Sequence, residues 1–274
     1  MILSALQKRD NLREGTLDGR PVYAHDDHRF LLSILFEAQR CGHLPEPCTL
    51  VMFDQHHDAV PPRTKEALDR IDELLASSPT GQDILDLCVE DLSKLDDDWI
   101  TAGMSLGLLD DAVIFGVQNH VREAETFVSP GGTLHHVHML GFPGPSLAYQ
   151  GELSDHARHE ELVGLWDTLD WRPGGFGTRR DRILLSIDLD AFVMSWDEFT
   201  LPWPDEVFEG RFFKQSDYSP TRGWTGRRFF DELVERAGVI AIAREPAYCG
   251  GPDKMHRVWG QVNHFLFGDR LTVS

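Results

Sequence analysis

Hydrophobic and polar positions fall in blocks along this chain. Residues 20–24, 49–53, 112–117, 182–187 and 238–243 form short, largely apolar runs, such as Thr-Leu-Val-Met-Phe at 49–53 and Gly-Val-Ile-Ala-Ile-Ala at 238–243. Runs of that length without alternation are expected of strands buried on both faces. The stretches between them carry helical spacing. Phe30, Leu31, Ile34, Leu35 and Ala38 share one face of a helix over 29–41, closed by Gly42 and Pro45. Residues 63–108 read as helical, through Leu68, Ile71, Leu74 and Leu75, then Ile84, Leu85 and Leu87, then Trp99 onward. Further helices are predicted at 160–170, 226–237 and 252–267. Residues 126–155, rich in Gly, Pro and His, suit hairpins or an irregular insertion, and an aromatic loop runs from 192 to 224.

Short buried strands alternating with helices predict a three-layer α/β fold around a parallel sheet. We read residues 1–274 as a single domain. Four of the strands end abruptly in polar clusters: His25-Asp26-Asp27-His28, Asp54-Gln55-His56-His57-Asp58, Asp188-Leu189-Asp190 and Arg244-Glu245-Pro246. Ligands bind at the carboxyl ends of strands in such sheets, so four distant segments would deliver side chains to one edge.

Asp54, His56 and Asp58 stand at alternate positions, which in an extended segment point to one side. Asp188 and Asp190 repeat the spacing. Carboxylates this close repel each other beside a core, and a cation between them removes the cost. Oxygen ligands with imidazole suit Mn, Fe, Zn or Mg. These five candidate metal ligands carry four carboxylate charges, which two divalent ions would balance, while His28, at the end of the first strand, reads by itself as a capping or loop histidine. A metal pair lowers the pKa of water and polarises an electrophile, the requirement of a hydrolytic centre.

The order of these motifs resembles the arginase, agmatinase and deacetylase superfamily, in which a histidine after an aspartate precedes D-x-H-x-D and then S-x-D-x-D. The counterparts here are Asp27-His28, Asp54 to Asp58, and Ser186-Ile187-Asp188-Leu189-Asp190. The chain is similar also to the arginase-like UPF0489 domain proteins, through Val22-Tyr23 with Asp26-Asp27-His28, Phe53-Asp54, Trp99-Ile100, Ile187 to Phe192, and Ala241-Ile242-Ala243-Arg244. That resemblance implies an arginase/deacetylase-like fold and a pair of Mn2+ ions on His28, Asp54, His56, Asp58, Asp188 and Asp190. It also implies hydrolysis of arginine side chains within a peptide, in which a hydroxide attacks the guanidinium carbon, urea leaves and ornithine remains. Asp58 would also orient the hydroxide, and Glu245 would grip the guanidinium, with an ion pair to Arg244 or Arg257 as its alternative use. A proton shuttle for the leaving amine is assigned to His120, with His57 second. Amide deacylation, as in the deacetylase branch, and a non-catalytic peptide-binding module are the alternatives.

The chain departs from ordinary arginases where the free amino acid is recognised. His25-Asp26 replaces a double glycine, no Asp-Pro follows Asp190, and the loop histidine soon after D-x-H-x-D has no clear equivalent. A peptide substrate would permit those losses.

Composition narrows the partners. The formal charge is -19, from 45 acidic and 26 basic residues. Such a field opposes nucleic acid and anionic lipid, and favours metal ions and cationic substrates. The first ten residues lack the order of a secretory signal, and no apolar run reaches the length of a membrane span, so a cytoplasmic protein is expected. Cys41, Cys48, Cys88 and Cys249 are too scattered for a structural zinc site. His135, His136, His138, His156 and His159 match no trusted ligand spacing and read as an exposed insertion. The aromatic loop, with Trp196, Phe199, Trp203, Phe208, Phe212, Phe213 and Trp224, would wall a peptide groove, or pack the domain and a partner subunit in a homo-oligomer.

Overall fold

The computed structural model describes residues 2–95, 97–116, 122–140, 182–196, 199–209 and 226–273. The predicted helix at 160–170 and the candidate shuttle His120 lie outside these residues, as do His156, His159, Phe212, Phe213 and Trp224.

The chain opens with helix α1 (Ile2–Arg9), the hairpin of β1 (Arg13–Leu17) and β2 (Arg20–His25), helix α2 (Leu31–Arg40) and strand β3 (Cys48–Phe53). Three short helices follow, α3 (Lys65–Leu75), α4 (Gly81–Asp86) and α5 (Trp99–Ser105), and then strand β4 (Leu109–Phe115). The expected helical stretch is thus broken into separate helices. The breaks are local chemistry: Thr64 caps α3 through Ala67 N at 3.2 Å, and Thr80 and Asp83 form a capping box on α4. Next come β5 (Arg122–Val128), β6 (Leu134–Leu140), β7 (Ile183–Asp188), and the small ribbon of β8 (Val193–Trp196) and β9 (Phe199–Pro202). The chain closes with α6 (Gly226–Arg236), β10 (Ala237–Ala243), α7 (Pro252–Phe267) and β11 (Thr272–Val273). Pro252 starts α7, and Gly268, left-handed at φ 60°, ends it.

Among the described residues, the main sheet has nine strands in the order β11-β1-β2-β10-β7-β3-β4-β6-β5. The interior run from β2 to β6 is parallel, and both margins are antiparallel. Side chains alternate between two cores. Leu50, Met52, Ala112, Ile114 and Ala241 pack with α1 to α5 on one face. Val51, Phe53, Val113, Leu185 and Ile240 pack with α6 and α7 on the other. This is the three-layer α/β arrangement the sequence predicts. Each fully buried aliphatic side chain contributes roughly 1.5–3 kcal/mol, so apolarity on both faces is what commits these short runs to the sheet centre. Among the described residues, no helix is long and apolar enough to cross a membrane.

The His-rich segment differs from expectation. The hairpin is there, but β6 joins the sheet beside β4, so residues 134–140 are no exposed insertion. His135 is buried, with Nδ1 2.6 Å from the Asp110 carbonyl oxygen. The aromatic loop is mostly core where it is described: Trp203 and Phe208 pack on Phe192. Phe199 stays 66% exposed.

Candidate metal centre

Sheet register places the site. Phe53 pairs with Ile187, so the next residues, Asp54 and Asp188, leave adjacent strands at the same level. Ala243 is level with both Asp188 and His25, which brings Glu245 and His28 to the same edge. The polar clusters therefore meet at the carboxyl ends of four neighbouring strands, β2, β10, β7 and β3. Gly116, just past β4, permits the approach. Its φ is +107°, and a Cβ there would lie 2.9 Å from the Asp54 carbonyl oxygen.

All six proposed ligands come together, in two overlapping groups. His28 Nδ1 lies 3.1 Å from Asp58 Oδ2, 3.4 Å from Asp54 Oδ2, 3.4 Å from Asp188 Oδ2 and 3.9 Å from Glu245 Oε1. His56 Nδ1 lies 2.8 Å from Asp190 Oδ2 and 3.5 Å from Asp54 Oδ1. Potential ligand atoms of His28, Asp54 and Asp188 lie within 4.8 Å of one another, as do those of Asp54, His56 and Asp190, and those of Asp188, Asp190 and Glu245. The alternate spacing of the first motif works differently from the sequence expectation. Asp54 Oδ1 accepts the His56 amide at 2.5 Å, so the segment curls instead of running extended. Asp54 and Asp58 then face His28, while His56 faces Asp190. His57 turns away, with Nε2 3.5 Å from Glu125 Oε2.

Burial and charge make this cluster a trap for cations. Asp54, Asp58, Asp188, Asp190, Glu245 and His28 are all buried. Burial first, then neighbouring carboxylates, pushes Asp188 and Asp190 up, Asp58 to about 6 and Glu245 to about 12. Burial opposes charge on the imidazoles, yet the surrounding carboxylates override it, raising His28 well above its ordinary value and His56 to about 12. Burial also works to raise Asp54, but His28 and His56 outweigh it and hold that carboxyl low. Protons are being held where the geometry collects oxygen atoms. Asp54 Oδ2 and Asp188 Oδ2 are buried without a hydrogen bond, each 3.4 Å from the one His28 nitrogen. One imidazole nitrogen carries at most one proton and cannot satisfy four carboxylates. The donor set therefore fits divalent cations.

No protein-family model matches the chain, and no curated protein matches it significantly. Among solved structures, Helicobacter pylori arginase matches at 11% identity and a TM-score of 0.32, over 95% of this chain and 76% of that one. A likeness so loose assigns neither residue nor reaction. The site stands on its own geometry.

Surrounding groups fix the ligands, and most of them carry no signal in the sequence. Ser186 Oγ lies 3.2 Å from His28 Nε2, which turns Nδ1 toward the carboxylates. Gln55 Nε2 donates to Asp190 Oδ2 at 3.2 Å. Trp99 Nε1 donates to Asp58 Oδ2 at 2.9 Å. Arg244 does not neutralise Glu245. It pairs with Asp26 at 2.7 Å and donates to the Asn11 carbonyl oxygen at 2.7 Å, while Arg257 is exposed on α7. Glu245 holds a φ of 35°, rare for a non-glycine residue. Behind His28 lies His25, fully buried and pushed down to about 3 by burial first and His28 second.

His25 Nδ1 faces Asp10 Oδ2 at 4.0 Å, and Asp10 is pushed up to about 8, by burial first and by Asp27 second. An acid whose folded pKa is raised loses stability as pH climbs from its unfolded value to its folded one. Asp10→Asn keeps the oxygen that accepts the Asp26 and Asp27 amides. It should therefore match wild type near about pH 4 and exceed it by more than about 1 kcal/mol near pH 8. Chemical denaturation across that range measures this, and a difference that does not change with pH would show Asp10 to be ionised in the fold.

Proposed function

We propose that the chain is a manganese-dependent hydrolase acting on the guanidinium of arginine side chains within a peptide, yielding ornithine and urea. The carrying observation is the pair of overlapping His–carboxylate groups that share Asp54, with the buried acid Glu245 beside them. His28, Asp54, Asp58 and Asp188 would hold one ion, and Asp54, His56 and Asp190 the second. A divalent pair there supplies a hydroxide nucleophile at neutral pH and polarises the electrophile.

The protein's own groups do the rest. Glu245 receives the guanidinium, whose planar fork matches a carboxylate. Asp58 orients the attacking hydroxide by hydrogen bonding. Water adds its oxygen to the guanidinium carbon, the bond to the side-chain nitrogen breaks, and that nitrogen leaves protonated as the ornithine amine. The formal charge of -19 favours a cationic substrate. The departures from free-arginine recognition favour a peptide, and manganese follows from the family resemblance.

Mn-loaded protein incubated with arginine-containing peptides should release urea in step with conversion of arginine to ornithine in the peptide. Urea from free arginine alone would replace the peptide by the amino acid. No urea from any of a broad set of peptides would sink the hydrolase reading.

A further inference from the structure

The segment that carries Asp54, His56 and Asp58 has no helix or strand between β3 and α3. Asp58 is nevertheless 4% exposed, and a metal ligand has to be held within about 0.5 Å of its working position. What holds it is the start of α5. The Asp97 carbonyl oxygen accepts Val60 N at 2.8 Å, and Ile100 N donates to the Asp58 carbonyl oxygen at 3.4 Å. Thr101 Oγ1 donates to the Val60 carbonyl oxygen at 2.8 Å. The fourth tie reaches the ligand itself, through the Trp99 indole and Asp58 Oδ2.

Trp99 does two things at once. Its N–H occupies one lone pair of an oxygen that also lies 3.1 Å from His28 Nδ1. Its ring, fully buried, lies 5.3 Å from the His28 ring at an interplanar angle of 30°. Both partners belong to the same one of the two ligand groups. His56 is held otherwise: it pairs with Asp190, which Gln55 also binds, and its ring abuts Tyr248 at 4.9 Å. The two halves share Asp54 and the loop that carries it, but these contacts of Trp99 go to Asp58 and His28, both in one half.

We propose that Trp99 is a positioning residue for one metal ion of the pair: its N–H orients Asp58 and its ring orients His28, so it sets the affinity of that half alone. The inference rests on the metal-centre reading above. A neutral donor suits the role, because it directs the Asp58 carboxylate without cancelling the charge that the ion needs. Groups of this kind typically change metal affinity by about 10–100-fold.

Three forms of the full-length protein test it: wild type, Trp99→Phe, and a protein with 3-benzothienylalanine at position 99, which keeps the bicyclic ring and lacks the N–H. Mn2+ binding is followed by titration calorimetry and by electron paramagnetic resonance, with far-ultraviolet circular dichroism as the check on folding. Wild type should bind two ions and show a spin-coupled pair at saturation. Both altered forms should keep one ion at wild-type affinity, bind the other about 10–100-fold more weakly, and show isolated Mn2+ at intermediate loading. The benzothienyl form keeps the test intact should Trp99→Phe not fold. Unchanged affinity for both ions in a folded variant overturns the proposal, and so does equal weakening of both. A wild type that binds no Mn2+ overturns the metal-centre reading itself and the proposal with it, an outcome visible before any variant is made.

Discussion

Replacing Asp188 by asparagine should stabilise the metal-free protein while abolishing its response to metal and its activity. Asp188 is fully buried, and its carboxyl is raised by burial first and by Asp190 and Asp54 next. Its folded pKa therefore exceeds its unfolded one. The associated loss of stability starts above the unfolded value and is present at neutral pH. Asparagine removes it, and its side-chain oxygen can still accept the Asp190 amide that Asp188 Oδ1 accepts at 2.9 Å. The other side of the exchange is ligation. Asp188 belongs both to the group with His28 and Asp54 and to the group with Asp190 and Glu245. Wild type should gain roughly 2.7 kcal/mol at a free Mn2+ concentration about 100 times its Kd, and the variant should gain little. Losing several kcal/mol of charge stabilisation lowers urea release by roughly a thousandfold, at about 1.4 kcal/mol per decade. Thermal melts with Mn2+ and with EDTA measure both halves. A variant that is less stable without metal, yet keeps the metal-induced rise, would count against Asp188 as a ligand.

The same buried charge explains which parts of the molecule could be read from sequence. Strands β3, β7 and β10 are apolar on both faces, so they stand out in the sequence, and the polar residues at their ends are conspicuous. Edge strands give no such signal. Arg13–Leu17 and Thr272–Val273 are partly exposed, and Arg122–Val128 begins Arg-Glu-Ala-Glu. Leu134–Leu140 hides its strand pattern among histidines, although Val137 and Met139 are buried at alternate positions with His135. At the site, Asp54, His56, Asp58, Asp188 and Asp190 were legible as candidate ligands because their spacing follows strand ends, whereas His28 rested on the family resemblance. The division into two halves was not. It depends on the Asp54 side chain turning the backbone at His56, and on the register that sets Asp54 level with Asp188. Trp99, Gln55 and Ser186 act through hydrogen bonds across long sequence separations, and no local spacing announces such bonds. Trp99-Ile100 was visible only as part of a family resemblance, without a role.

Glu245→Gln should separate substrate binding from metal binding. The carboxyl is 5% exposed and pushed up to about 12, by burial first and Asp188 second, so without metal it stays protonated and uncharged at neutral pH. By the same sign argument as for Asp188, the neutral amide removes a stability penalty that grows with pH above the unfolded value, and the metal-free variant should melt higher than wild type. Cations bound at the centre would offset the Asp188, Asp190 and Asp54 charges that help keep the proton on Glu245, and so free a carboxylate facing an incoming guanidinium. The pair formed there is shielded from water and charge-assisted. Breaking a buried pair by removing one partner typically costs about 3–5 kcal/mol, a loss of roughly two to four decades in kcat/KM for the arginine-containing peptide. The number of Mn2+ ions bound should stay the same. That second measurement decides the role, because Glu245 also lies within ligand distance of Asp188 and Asp190. A drop in metal stoichiometry in the variant would make Glu245 a ligand, and the guanidinium would then have to be received elsewhere. Full activity with full metal content would remove Glu245 from the site altogether. Its positive φ weighs against that last outcome, since strained backbone of this kind clusters at functional sites.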